Sequence, residues 1–499
     1  MTLPNQSATI ALPGLAGGGA RADGQQRRAP LEHLSLSHGS SGAQTLGQRS
    51  RNAVWHPCTR LRPDDDAVPL AIVRGEGPWL HDADGRRYFD ATSSWWVNLF
   101  GHANPRINAA LAKQLETLEH VMLAGCTHAP AVELAERLSA LTGGALCNVF
   151  YASDGASAVE IALKMSFHYW RNTGLPAKRE FVCLRHSYHG ETVGALAVTD
   201  VEVFRDAYDP LIRRAHVVMS PDARQAAPGE SAADVATRAL AELETLLRER
   251  AGQIAALIVE PLVQGAAGMA MYDPSYLDGA RALCDRYRVH LIADEIAVGC
   301  GRTGTFFAWE QSRAEEAPLP AHLWPDFLCL SKGISGGYLP LSLVLSRPEI
   351  QRAFVADELA RSFLHSHSYT GNPLACRAAL ATLDLFAQDD VLACNRDRAQ
   401  WLAGGMSALA VDERLQHVRQ RGLIWAADVC DDVAGADFAS RFHHAARARE
   451  LLVRPIGNTL YVMPPYVFDA AQARWLGEQL LATLDDVTTP VNGEVRHAA

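Results

Sequence analysis

The chain has 499 residues, 48% hydrophobic and 20% charged, which is length for two or three domains and a substantial core. Its 46 Lys and Arg against 56 Asp and Glu leave a formal charge of −10, which speaks against a basic surface for nucleic acid. Gly and Pro counts of 38 and 25 exclude collagen-like and wholly disordered chains, and no apolar run approaches the ~18 to 20 residues of a membrane-spanning helix. The ten cysteines show no CxxC pair and no zinc-like spacing. They read as reduced thiols, and the expectation is a cytoplasmic enzyme without a metal site.

Residues 1–50 are rich in Gly, Ala, Ser and Gln, include the run Gly17-Gly18-Gly19, and have no sustained apolar period. Too little apolar area is available there to offset chain entropy, so a disordered N-terminal extension is expected. Its arginines (Arg21, Arg27, Arg28, Arg49) and scarcity of acids also fit an organelle transit peptide. From Trp55 the composition becomes globular. Short apolar runs recur at 148–151, 181–184, 256–259, 290–293, 327–330 and 343–345, each of buried-strand length. Helical segments at 156–171, 236–250 and 275–288 alternate with them. The pattern predicts an α/β fold with a mostly parallel central sheet and helices on both faces. Beyond about 375 the chain turns helix-rich, with one more strand at 459–463. The expected organisation is a large domain over 101–375 and a smaller α+β domain formed by 51–100 together with 376–499.

Several strand ends carry chemistry-bearing residues. Asp294-Glu295 follows the run 290–293, and in an open α/β sheet ligands sit outside the carboxyl ends of strands, where a carboxylate can hold a cationic ring nitrogen. Lys332 lies between an apolar strand and the glycine-rich Gly333-Ile334-Ser335-Gly336-Gly337, where desolvation would free an amine for Schiff-base chemistry. Asp154-Gly155-Ala156-Ser157 opens a strong helix, and helix starts attract phosphate. Tyr188, in Ser187-Tyr188-His189-Gly190, could stack on a flat ring. The hydroxyl-rich 365–373 contains two histidines but no third ligand for a metal. Taken singly, each has an ordinary explanation as a strand-end acid, a surface lysine, a capped turn or a packing ring. Together they supply an amine, a ring-nitrogen partner, a phosphate loop and an aromatic lid, the groups that pyridoxal phosphate needs.

On these residues the chain resembles the class III aminotransferases of the fold-type I pyridoxal-phosphate enzymes. The resemblance runs from Trp55-His56-Pro57 to Met463-Pro464-Pro465-Tyr466 and includes Asp294-Glu295-Ile296, Gly301-Arg302-Thr303-Gly304 and Lys332. Ser94-Trp95-Trp96, the stretch Glu260 to Met269, and Arg454-Pro455 resemble the diaminopelargonate-forming branch of biotin biosynthesis. The resemblance implies pyridoxal 5′-phosphate as cofactor, with Lys332 as its covalent anchor and proton shuttle, Asp294 at the ring nitrogen and Tyr188 on the ring. It puts Gly155, Ala156 and Glu260 at the cofactor too, and His367 and Ser368 reaching over from a second subunit of a homodimer. For 8-amino-7-oxononanoate it implies Arg454 at the carboxylate, Trp95 and Trp96 along the methylenes, and Arg302, Ser366, Tyr461 and Cys58 as further substrate contacts.

Three positions depart from the branch. Cys58 stands where a tyrosine is usual, Ala156 where a serine is common, and His367-Ser368-Tyr369 replaces Pro-Thr-Phe. These departures leave the amino donor open between S-adenosyl-L-methionine and lysine. Another ω-aminotransferase, or a non-catalytic scaffold of the same fold, are the competing readings. Intact Lys332 and Asp294 weigh against the scaffold.

Overall fold

The computed structural model describes residues 44–59, 68–316 and 318–488. All six apolar runs between 148 and 345 form strands of one sheet, joined by a seventh strand at its edge. In chain order these are β1 (Asn148–Ala152), β2 (Glu180–Leu184), β3 (His216–Val218), β4 (Ile254–Val259), β5 (His290–Asp294), β6 (Phe327–Leu330) and β7 (Ser342–Ser346). Their order across the sheet is β1-β7-β6-β5-β4-β2-β3. Pairings from β3 through β6 are parallel, and only β7 runs antiparallel to its neighbours β6 and β1.

The continuous apolar runs follow from burial on both faces. Alternate residues of β4 enter different apolar clusters: Ala256 and Ile258 join Val159, Ile161 and Met165 of helix Gly155–Asn172. Leu257 and Val259 join Leu243 of helix Ala232–Arg250 and Leu277 of helix Ser275–Tyr287. Each fully buried Leu, Ile or Val side chain contributes about 1.5–3 kcal/mol of transfer free energy. A period-2 sheet covered by two layers of helices therefore needs apolar residues at every strand position.

This arrangement brings five of the sequence motifs to one edge. Beyond the carboxyl ends of the parallel strands lie Asp154-Gly155 (β1), Ser187 to Gly190 (β2), Glu260 (β4), Asp294 itself (β5) and Lys332 (β6).

Three smaller sheets accompany this core, one of them the two-stranded pairing of Val263–Gln264 with Ala270–Met271. Strands Ile72–Glu76, Trp79–Asp82 and Arg87–Asp90 form an antiparallel meander, to which Leu451–Leu452 adds in parallel alongside Phe89 and Asp90. Leu415–Arg421, Ile424–Val429 and Thr459–Val462 form a three-stranded antiparallel sheet. No helix among the described residues is long and apolar enough to cross a membrane.

The described residues before Leu70 belong to a unit separate from the rest of the chain. The predicted disordered extension needs correction at its end. Residues 46–50 belong to helix Leu46–Ala53, closed by a reciprocal cap in which Gln48 N–H donates to Thr45 Oγ1 (3.3 Å) and Thr45 N–H to Gln48 Oε1 (2.8 Å). The capping pair was hidden in the average composition of the stretch. Residues 1–43 lie outside the described residues. Cys58 is exposed in this first unit at φ 49°.

Candidate active site

At the end of β5, Asp294 is buried and accepts two hydrogen bonds. His189 Nδ1 approaches its Oδ2 at 2.7 Å, and the Ile296 N–H donates to Oδ1 at 3.1 Å. With Nδ1 turned to Asp294, the other ring nitrogen, Nε2, is a buried atom with no hydrogen-bond partner among the described residues. His189 is held in turn by its own N–H on Thr199 Oγ1 (3.0 Å). Sequence reasoning quoted His189 but gave it no role, because its partner lies 105 residues away.

Glu260, after β4, is also buried. Its oxygens accept the N–H groups of Tyr188 (3.1 Å) and Gly265 (2.9 Å), so the carboxylate fixes the loop that carries Tyr188. Burial raises its pKa to about 7 against the pull of His189 and these two amides. The Tyr188 hydroxyl donates to Glu191 (2.9 Å), and its ring meets Phe204 edge-on.

Lys332 follows β6 with φ 46°. Its Nζ lies 4.5 Å from the centroid of the Trp96 ring. Burial lowers its pKa, although the charges of Asp294 and Glu260 pull the other way. Gly337 lets the turn after Lys332 close, since a Cβ there would come within 2.8 Å of Asn98 Cα.

The helix start at Gly155 is shaped for close approach. Asp154 caps it by accepting the Ser157 N–H (2.9 Å), and the leading N–H groups of a helix have no acceptor of their own. A Cβ on Gly155 would meet Ile296 at 3.0 Å. One on Gly190, at φ 117°, would lie 2.5 Å from Ala156 Cβ. Position 190 therefore has to be glycine for the turn to pass this close to Ala156.

Trp96 is buried and donates its indole N–H to the Tyr461 hydroxyl (3.1 Å), whose own pKa burial lifts to about 12. Trp95 is half exposed, with the Arg454 guanidinium 5.7 Å from its ring. Lys332, Trp96 and Tyr461 thus form one run of contacts and Trp95 and Arg454 another, the two joined by the adjacency of the tryptophans in the chain and by the Arg454 charge acting on Tyr461.

Arg302 is placed differently from the substrate contact expected of it. It is fully buried, donates to the Pro464 carbonyl (2.6 Å) and weakly to Ser93 Oγ (3.4 Å), and lies over the Tyr466 ring at 4.6 Å. Its donors are engaged with the chain itself. Ser366 and Ser368 are exposed and His367 half-buried in the segment before helix Pro373–Gln388. That segment is tied to itself through Thr370, whose hydroxyl meets the N–H and C=O of His367, and to Lys164 through His365.

These features fit pyridoxal phosphate. An amine depressed by burial, a hydrogen-bonded carboxylate and a glycine-lined helix start lie at one sheet edge, beside an unpartnered buried imidazole nitrogen. The chain matches the class-III aminotransferase family over residues 61–484 and belongs to it. Its cofactor is pyridoxal 5′-phosphate and its activity that of an aminotransferase. It is 39% identical over 440 residues to the adenosylmethionine-8-amino-7-oxononanoate aminotransferase of Helicobacter pylori, covering 87% of this chain and 96% of that protein. The enzyme of the same name from Geobacter sulfurreducens is 37% identical, covering 89% and 98%. The crystal structure of the Methanocaldococcus jannaschii enzyme of that name superposes with a TM-score of 0.81 at 32% identity, covering 89% of this chain and 99% of the other. An amine transaminase from an uncultivated Pseudomonas species, with pyridoxal phosphate bound, gives 0.80 at 32%, covering 87% and 99%.

Proposed function

We propose that this aminotransferase moves an amino group from S-adenosyl-L-methionine to 8-amino-7-oxononanoate, giving 7,8-diaminononanoate in biotin biosynthesis. The observation that carries the reading is that the Lys332 amine lies against the Trp96 ring and the Arg454 guanidinium against the ring of the adjacent Trp95, a cation on each of two neighbouring indoles. A long apolar chain ending in a carboxylate suits it. Adenosylmethionine in the names of the relatives favours that donor over lysine.

Pyridoxal phosphate supplies an electron sink that makes a Cα–H bond of the bound amine acidic. Lys332, with its free amine favoured by burial, would be the group that moves the Cα proton once the cofactor is bound. Asp294, fixed by His189 and the Ile296 N–H, holds the ring nitrogen as a cation. Tyr188 packs on the ring face, and Gly155 and Ala156 give backbone N–H groups to the phosphate. Glu260 keeps the Tyr188 loop in place. Arg454 binds the acceptor carboxylate, and Trp95, Trp96 and Tyr461 exclude water from the methylenes. Arg302 acts by holding the Pro464 backbone beside them.

The active unit in this reading is a homodimer, in which the half-buried His367 and the exposed Ser368 of each subunit complete the phosphate site of the other. The parallel pairing of Leu451–Leu452 with Phe89–Asp90 supports treating the meander and the C-terminal part of the chain as one smaller domain. Purified protein incubated with oxononanoate and either adenosylmethionine or lysine tests the proposal. A vicinal diamine formed with adenosylmethionine is expected. Formation with lysine alone would overturn the donor, and no diamine from either would overturn the acceptor.

A further inference from the structure

Ser93, Ser94, Trp95 and Trp96 have φ of 51, 47, 69 and 73°, four left-handed residues in a row without a glycine. The N–H groups of Trp96 and Val97 donate to the carbonyls of Thr92 (2.8 Å) and Ser93 (2.9 Å), so this is a hydrogen-bonded turn of the hand that L residues disfavour. Such a conformation persists only where its surroundings over-determine it.

Asp90 supplies that constraint. It is wholly buried, and one carboxylate oxygen accepts the Ser94 N–H at 2.8 Å. The other accepts the Ser94 hydroxyl at 2.7 Å and His102 Nε2–H at 2.9 Å. His102 is oriented from its far side by the Asn98 amide, 3.1 Å from Nδ1. On the opposite side of the turn, Ser93 Oγ donates to the Met463 carbonyl (2.6 Å). A right-handed turn of the same four residues would send both indoles in other directions, away from Lys332 and Arg454.

We propose that Asp90 is a positioning residue for acceptor specificity: by locking the left-handed turn it holds Trp95 and Trp96 as the walls of the long-chain site, without itself touching substrate. This rests on the reading above that the two indoles line the acceptor. The chain thereby stores its preference for a long apolar acceptor in a buried carboxylate on the neighbouring strand.

The test uses holoenzyme and reads the two half-reactions separately. In Asp90→Asn one oxygen still accepts the Ser94 N–H, while the amide nitrogen cannot accept from the hydroxyl or from His102. Loss of such charge-assisted bonds should raise KM for oxononanoate about tenfold or more, with kcat and the adenosylmethionine half-reaction within about threefold of wild type. Near-ultraviolet circular dichroism of the indoles should weaken while the far-ultraviolet spectrum stays. Ser94→Ala removes one of the bonds, should shift both readouts less in the same direction, and decides the matter if Asp90→Asn does not fold. Equal losses in both half-reactions, an unchanged acceptor KM or an unchanged indole signal would overturn the proposal. If wild type does not turn over oxononanoate, the substrate reading fails, and the indole signal alone decides whether Asp90 holds the turn.

Discussion

Lowering the pH from 7 to 4.5 should weaken this protein through one residue away from the chemistry, His290. The ring opens β5, stacks on Trp170 at 4.4 Å, meets Tyr169 and Phe327 edge-on, and pairs with Ser166 Oγ at 2.9 Å. Burial among these groups pushes its pKa from the ordinary 6.5 down to about 4; Asp326 opposes this, while Arg281, Lys178 and Arg347 add to it. The unfolded chain therefore binds a proton that the folded one refuses. The stability due to neutral His290 is fully present above 6.5 and is lost as pH falls from 6.5 toward 4. Integrated between pH 7 and 4.5, the loss is about 2 kcal/mol. Glu260 and Glu295, raised by burial to about 7 and about 8, act oppositely, since their contribution is lost as pH rises. A variant isolates the histidine. His290→Phe keeps an aromatic ring in the stack, and Ser166 keeps a carbonyl acceptor in Ala255 (3.4 Å). Urea midpoints of both proteins at pH 7 and 4.5, with unchanged slopes, should show wild type losing about 2 kcal/mol more than the variant. Parallel losses would refute the argument.

The remaining predictions concern the site. Lys332→Ala should lose transamination by orders of magnitude and the absorbance band of the covalently held cofactor, with the fold intact by circular dichroism; near-normal turnover would contradict its role. Arg454→Ala should weaken oxononanoate binding by roughly 10- to 150-fold, the cost of one charge-assisted contact, with little change in the donor half-reaction. Gly190→Ala forces a left-handed residue and a 2.5 Å contact on Ala156, and should cost about 1–3 kcal/mol in thermal unfolding together with cofactor retention.

Much of this was legible in the sequence because burial writes itself into strand composition. All six apolar runs between 148 and 345 became strands of the central sheet, with ends shifted by at most two residues. Lys332 and Asp294 could be singled out because a charged residue within two positions of the end of such a run lies at the sheet's edge. What escaped depended on partners far along the chain. Nothing around His189 announces Asp294, and nothing around Asp90 announces a left-handed turn, since Ser93 to Trp96 contains no glycine to permit one. The backbone partner of Arg302 escaped for the same reason. The arginine's motif is local, whereas the carbonyl it holds belongs to Pro464, 162 residues away.

The site's electrostatics follow from burial acting on groups of opposite type. Desolvation disfavours charge on either kind, so it lifts the Glu260 carboxyl to about 7 and lowers the Lys332 ammonium. The charges of Asp294 and Glu260 both raise the Lys332 pKa, so any proton taken up by Glu260 removes part of that opposition and makes the free amine easier to obtain. No side chain needs to sit against Nζ as a base; its neighbour is the face of Trp96, which can also receive the ammonium form. The lysine is thus activated by the sheet edge it occupies, and the same indole that covers it forms the first wall of the acceptor site.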